Sequence, residues 1–310
     1  MKTFRQAVID YLIMRRGLGF KLYHVGRDLG SFISFLEHEK APRITIDLAL
    51  KWATQPEDVH PSYLAQRLSA VRGFARYWSG TDPRTEVPAG RLLPFANRRA
   101  QPYLYTEDEI QRLMAAAKAL PPANGLRRWT YHYLFGLLAV TGLRISELIA
   151  LESRDVDLQE GILTIRGAKF GKSRLVPLHV STRDALREYM QHRDAYLDGK
   201  RAVNFLLSGQ GRPLEASNVR RTFYRLSQQI GLRRAADRDG PRLHDFRHRF
   251  ATESLLQWYR AGRDVERLLP VLAAYLGHSN VRDTYWYFSA CPELMGCAVR
   301  RLERRWKVRP

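Results

Sequence analysis

Three short pieces in the last third of this chain carry side chains suited to handling a phosphate. In Leu243-His244-Asp245-Phe246-Arg247-His248, an imidazole and a guanidinium lie three positions apart, His244 and Arg247. On a helix they share one face, and Phe246, Phe250, Leu255 and Leu256 supply an apolar face to bury. In Tyr275-Leu276-Gly277-His278-Ser279, Gly277 reads as a helix stop after residues 268–276, which leaves His278 in the following loop. Thr284-Tyr285-Trp286-Tyr287 then offers phenols, Tyr287 standing nine positions beyond His278. Upstream, Arg144 falls in the turn of Thr141-Gly142-Leu143-Arg144-Ile145-Ser146-Glu147-Leu148, placed either to enter a cleft or to pair with Glu147. A basic tip, Gly167-Ala168-Lys169-Phe170-Gly171-Lys172, joins the β-rich runs 162–165 and 175–178; it is either a solvated turn or a lysine held over a reacting bond. Taken singly, each piece has a plain structural explanation. A lone His-x-x-Arg on an apolar helix is usually packing, and a run of aromatics is usually core.

The conjunction is another matter. His-x-x-Arg, Leu-Gly-His and a tyrosine nine positions on resemble the carboxy-terminal signature of the tyrosine recombinases, the phage-integrase family. The resemblance covers about residues 104–310, while residues 1–82 match the family's core-binding domain only by position and helix content. It implies a site of Arg144, Lys169, His244, Arg247, His278 and Tyr287. Arg144 and Arg247 would clamp the non-bridging oxygens of a DNA phosphodiester, since a guanidinium offers paired donors and keeps its charge. His278 would be a further donor and His244 the general base. Lys169 would protonate the departing 5′ oxygen, and Tyr287 would be the nucleophile. Tyr285 competes with Tyr287, but Tyr287 keeps the family's distance from His278. Lys172 competes with Lys169, although counting back from Arg174-Leu175-Val176-Pro177 puts the usual lysine at Lys169. The implied function is a site-specific recombinase or integrase of a mobile element, working through a 3′-phosphotyrosine. A type IB-like topoisomerase, or a DNA-binding protein without catalysis, are the alternatives. No cofactor is expected, and without a cluster of carboxylates no catalytic metal either.

The elements that must position these groups follow from the rest of the chain. Of 310 residues 45% are hydrophobic, ample for two packed domains, and the net charge of +20 favours a polyanionic partner. The expected partner is double-stranded DNA with inverted half-sites. Cys291 and Cys297 are too few for a disulfide framework, and no stretch has the apolar length of a membrane span. A cytoplasmic, prokaryotic, nucleoid-associated protein is expected. Residues 1–82 read as a helical domain, with helix-period runs at 4–14, 21–36, 46–53 and 63–78. The last of these carries Arg67, Arg72 and Arg76, which either face a phosphate backbone or form a solvated face. Four prolines between 80 and 102 mark a linker, placed at 83–103. A capping box at Thr106 to Glu109 opens the second domain, 104–310. Its fold class is mainly α with a small β-sheet and hairpin, an α+β catalytic domain behind a SAM-like helical one. Residues 292–306 predict a tail helix with Leu294, Ala298, Leu302, Trp306, Met295 and Val299 on one apolar stripe, opposite Arg300, Arg301, Arg304 and Arg305. Such a helix needs a surface to cover it. By the resemblance it docks on a neighbouring subunit on DNA, making a homotetramer on paired sites, with packing on its own subunit as the alternative for the free monomer.

Overall fold

Two helix starts in the amino-terminal unit fall where a threonine offers a cap. The computed structural model describes residues 3–95, 101–167, 173–234, 237, 240–289 and 291–307. Thr3 caps α1 (Phe4–Gly17) by accepting from the Gln6 amide, and Thr45 caps α3 (Ile46–Ala53) by accepting from Leu48. Between them lies α2 (Tyr23–His38), and α4 (Pro61–Trp78) begins on proline, whose missing N–H costs nothing there. The buried faces of these helices meet in a core built on Leu29, Phe32, Leu36, Trp52, Val71 and Phe74. Two of the three arginines of α4 are spent inside this unit. Arg67 is buried, stacks 3.8 Å from the Trp52 ring and donates to the Trp52 carbonyl at 2.9 Å. Arg72 donates to the carbonyls of Pro88 and Ala89, and Arg76 alone is exposed. Part of the segment read as the linker docks on this unit: Val87 and Leu93 pack on the helical core, and Glu86 caps the Ile46 amide at 2.8 Å. Prolines break helix period without preventing a chain from burying its apolar side chains, which is why periodicity alone missed this.

The chain divides into two compact units, Met1–Ala100 and Gln101–Pro310. The second opens with the expected capping box, Thr106 and Glu109 each satisfying the other's amide at the start of α5 (Glu107–Lys118). Next come α6 (Leu126–Thr141), almost wholly buried, and the short α7 (Ile145–Ile149). An antiparallel meander follows, β1 (Val156–Asp157), β2 (Ile162–Ile165) and β3 (Arg174–Pro177) in the order β1-β2-β3. Leu163 pairs with Val176 and both are fully buried, while Leu175 points the other way and is exposed, as the pleat requires. With α8 (Val180–Leu197) and α9 (Ala216–Gln229) these elements enclose one core. A second core is made by α10 (Asp245–Arg260), α11 (Val265–Leu276), α12 (Arg282–Ser289) and α13 (Pro292–Lys307). The architecture is mainly helical with a small sheet, as the sequence implied. Among the described residues no helix is long and apolar enough to cross a membrane.

The tail helix differs from its expected pattern. Leu294 is fully buried in the second core, whereas Met295, Val299, Leu302 and Trp306 are 47–70% exposed. The expected single stripe is therefore two. The first turn is covered by its own chain, aided by the ion pair Arg260–Glu293 at 2.6 Å, and the second stripe is open. A stripe widened by residues one position apart spans too much of the helix circumference for one contact surface.

Candidate active site

Two glycine turns and one buried arginine set the geometry. Gly142 ends α6 at φ +60° and Gly277 ends α11 at φ +68°, both left-handed conformations that a side chain disfavours. Space forbids one as well: an added Cβ would lie 2.6 Å from the Phe250 ring at Gly142, and 2.8 Å from the Arg174 guanidinium at Gly277. Arg247, on the first turn of α10 and 2% exposed, donates to the Gly142 carbonyl at 3.0 Å and to the Leu276 carbonyl. One guanidinium thus ties together the turn that leads to Arg144 and the turn that leads to His278.

Arg144 immediately precedes α7. Its guanidinium donates to Glu147 Oε1 at 2.7 Å and to the Gly277 carbonyl at 3.2 Å. Of the two sequence readings of Arg144, the pairing with Glu147 is the one seen, and its second donor reaches the turn that precedes His278. Glu147 also receives both terminal nitrogens of Arg174, at 3.0 and 2.8 Å, and Arg174 Nε donates to the Tyr275 carbonyl at 2.7 Å. Burial opposes the charge of Glu147, but hydrogen bonds and charge from Arg174 and Arg144 outweigh it and hold its carboxyl at about 2. Glu147 is visible in the sequence as the partner offered to Arg144. Arg174 has no such signal, since nothing in local pattern distinguishes it from a surface arginine on a strand.

His278 follows Gly277, with Nδ1 2.8 Å from the hydroxyl of the fully buried Thr284. Burial, then the charges of Arg247 and Arg144, lower its pKa to about 4, so the ring is neutral near pH 7. Tyr287, on α12, is 3% exposed, and its ring stacks against His278 with centroids 6.0 Å apart. Burial pushes its phenol up; the charge and hydrogen bond of Arg247 pull the other way. Tyr285 points outward, 56% exposed, with its ring against Phe288. The structure therefore gathers Arg144, Arg247, His278 and Tyr287 and leaves Tyr285 outside. His244 is exposed and immediately precedes α10 instead of lying within it, its ring 5.1 Å from that of His248. His248 in turn meets the Tyr287 ring edge-on, an arrangement the sequence reading did not contain. Lys169 and its rival Lys172 lie outside the described residues.

A second feature of this unit is basic. Along α9 the residues Arg220, Arg221, Tyr224 and Arg225 are exposed, and Arg233 stacks 4.6 Å over the Tyr224 ring.

Comparison with known proteins bears on all of this. The profile of the phage integrase family matches residues 104–293. The chain is 53% identical over 313 residues to the "Putative integrase/recombinase y4rB" of Sinorhizobium fredii, with 100% of each covered. It is 34% identical to the tyrosine recombinase XerD of Caulobacter vibrioides, covering 77% of this chain and 74% of that one. Among solved structures, the Tn1549 transposon integrase in complex with transposon right end DNA matches with a TM-score of 0.67 at 18% identity, over 98% of this chain and 99% of that one. That last likeness is one of fold.

Proposed function

The chain belongs to the phage integrase family, the tyrosine recombinases, and from that premise we propose that Tyr287 is the nucleophile with which it cuts and rejoins DNA for a mobile element. The observation that carries the assignment is the meeting of a buried phenol with Arg247, Arg144 and His278 in one cluster. Attack on a phosphodiester adds negative charge to the non-bridging oxygens, and Arg144 and Arg247 supply charge and paired donors for them. At rest their donors are occupied by the carbonyls of Gly142, Leu276 and Gly277 and by Glu147, which fixes both guanidiniums before any phosphate arrives. Ionising a phenol of pKa ~10 at neutral pH costs about 4 kcal/mol, and burial adds to it here. A phosphate bound by the arginines, with His244 as base, is the means of offsetting that cost. Lys169 protonates the 5′ oxygen, and the 3′-phosphotyrosine keeps the bond energy for rejoining to another strand.

Double-stranded DNA with inverted half-sites is the proposed partner, supported by the net charge of +20 and by the exposed arginines of α9. The helical unit of residues 1–82 is proposed to hold the same DNA. Assembly as a tetramer uses the open stripe of α13, Met295, Val299, Leu302 and Trp306, on a neighbouring subunit. Work on such DNA places the protein in a prokaryotic cytoplasm, at the nucleoid. A mobile element fits the integrase and recombinase names of its relatives. The test of the nucleophile is direct. On a nicked duplex built from the DNA flanking the gene, Tyr287→Phe binds and forms no covalent adduct, and Tyr285→Phe still forms it. An adduct persisting in Tyr287→Phe overturns the assignment.

A further inference from the structure

His248 is the residue after Arg247 and lies four past His244. Its ring stands edge-on to Tyr287, centroids 5.3 Å apart at 70°, and edge-on to His244, 5.1 Å apart at 87°. It is 8% exposed, and its Nδ1 is buried with no hydrogen-bond partner. The hydroxyl of Thr252, one turn further along α10, is buried and unpaired in the same way. For packing alone this is a poor choice of residue. A phenyl ring fills nearly the same space, makes the same edge-to-face contact and forgoes no hydrogen bond. An unpaired polar atom buried in a native site calls for another use of that atom. The ring beside it belongs to the proposed nucleophile, which has to turn its oxygen towards a phosphate, and the residue just before His248, Arg247, is proposed to hold that phosphate.

We propose that His248 is a positioning residue for the nucleophile: once the scissile phosphate is bound, its Nδ1 takes the hydrogen bond of the Tyr287 hydroxyl and so aligns the phenol, whose proton then leaves to His244, the base. The phenol and the phosphate are then both referenced to one turn of α10, so their separation does not depend on how α12 sits. Burial lowers the pKa of His248 to about 4, so near pH 7 the ring is neutral and one nitrogen is an acceptor. The proposal rests on Tyr287 as nucleophile and adds a residue to the six named from the family signature.

The test uses the full chain and a nicked duplex built from the DNA flanking the gene, with melting temperature, DNA affinity and adduct rate measured separately. His248→Phe is expected to melt at or above the parent and to bind DNA equally well. Its adduct should form about tenfold more slowly or worse, as loss of alignment predicts. His248→Asn, whose amide can stand where Nδ1 stands, is expected to recover most of that rate. Cleavage at the parent rate by His248→Phe overturns the proposal, and so does a marked drop in its melting temperature, or Asn performing no better than Phe. An adduct surviving in Tyr287→Phe overturns instead the nucleophile on which the proposal rests, so the two failures are told apart.

Discussion

Removing the charge of Glu147 tests the reasoning about the cluster most sharply. Its side chain is 7% exposed and accepts from Arg174, 11% exposed, and from Arg144. Glu147→Gln keeps the shape and one acceptor oxygen but leaves two arginines without their counter-ion. Holding a carboxyl at about 2 instead of 4.5 corresponds to about 3 kcal/mol of preference for the charged form, at ~1.36 kcal/mol per unit. The same size follows from the cost of breaking a buried ion pair, about 3–5 kcal/mol. For a unit of roughly 200 residues, ~3 kcal/mol lowers the melting temperature by about 6–12 °C. The folded-state pKa is depressed, so this stabilisation is complete above pH 4.5 and is lost as pH falls towards 2. The parent and Glu147→Gln should therefore differ fully at pH 7 and converge in acid. Arg144 would also lose its fixed position, slowing adduct formation by about 10²-fold. Calorimetric melts across pH, together with adduct rates on a nicked duplex, decide it. A melting temperature within about 2 °C of the parent at pH 7 refutes the account of Glu147 as the brace of both arginines.

Three further outcomes are expected, the first from the sequence and the other two from the structure. If Lys169 is the acid, Lys169→Ala is rescued by a 5′-bridging phosphorothioate, whose sulfur leaves without a proton, and Lys172→Ala shows no comparable defect; equal slowing on both substrates assigns Lys169 to binding. Replacing Met295 and Leu302 by Asp leaves the buried Leu294 in place, so half-site binding and folding persist while tetramers on paired sites disappear from native gels; normal tetramers refute assembly through α13. His278 prefers to be neutral when folded, with its pKa down from 6.5 to about 4, so its share of stability is complete above pH 6.5 and is lost as pH falls towards 4. In His278→Gln that acid slope should flatten by up to about one proton, and an unchanged slope refutes the burial argument.

What the sequence determined by itself is considerable, because its signals are local. Capping at Thr106, the helix stops at Gly142 and Gly277 and the β-rich runs that become β2 and β3 each depend on a few consecutive residues. So does the nine-residue interval between His278 and Tyr287, which singled out the tyrosine that the fold buries over its exposed neighbour Tyr285. Tertiary structure alone decided the partners of those groups. Arg247 donates across 105 positions to Gly142, and Arg174 reaches Glu147 across 27. Those two pairings make one buried arginine the tie between two turns and another the brace of Glu147. No periodicity encodes such contacts, since a buried charge is chosen by what surrounds it in space and the surroundings come from distant chain. The same holds for His248, a plain helix residue in sequence and the edge-on neighbour of the nucleophile in the fold. The tail helix shows the limit from the other side. Its pattern declared an apolar face, but only the packing against α10 and α12 decided that Leu294 is covered and that Met295, Val299, Leu302 and Trp306 are left open.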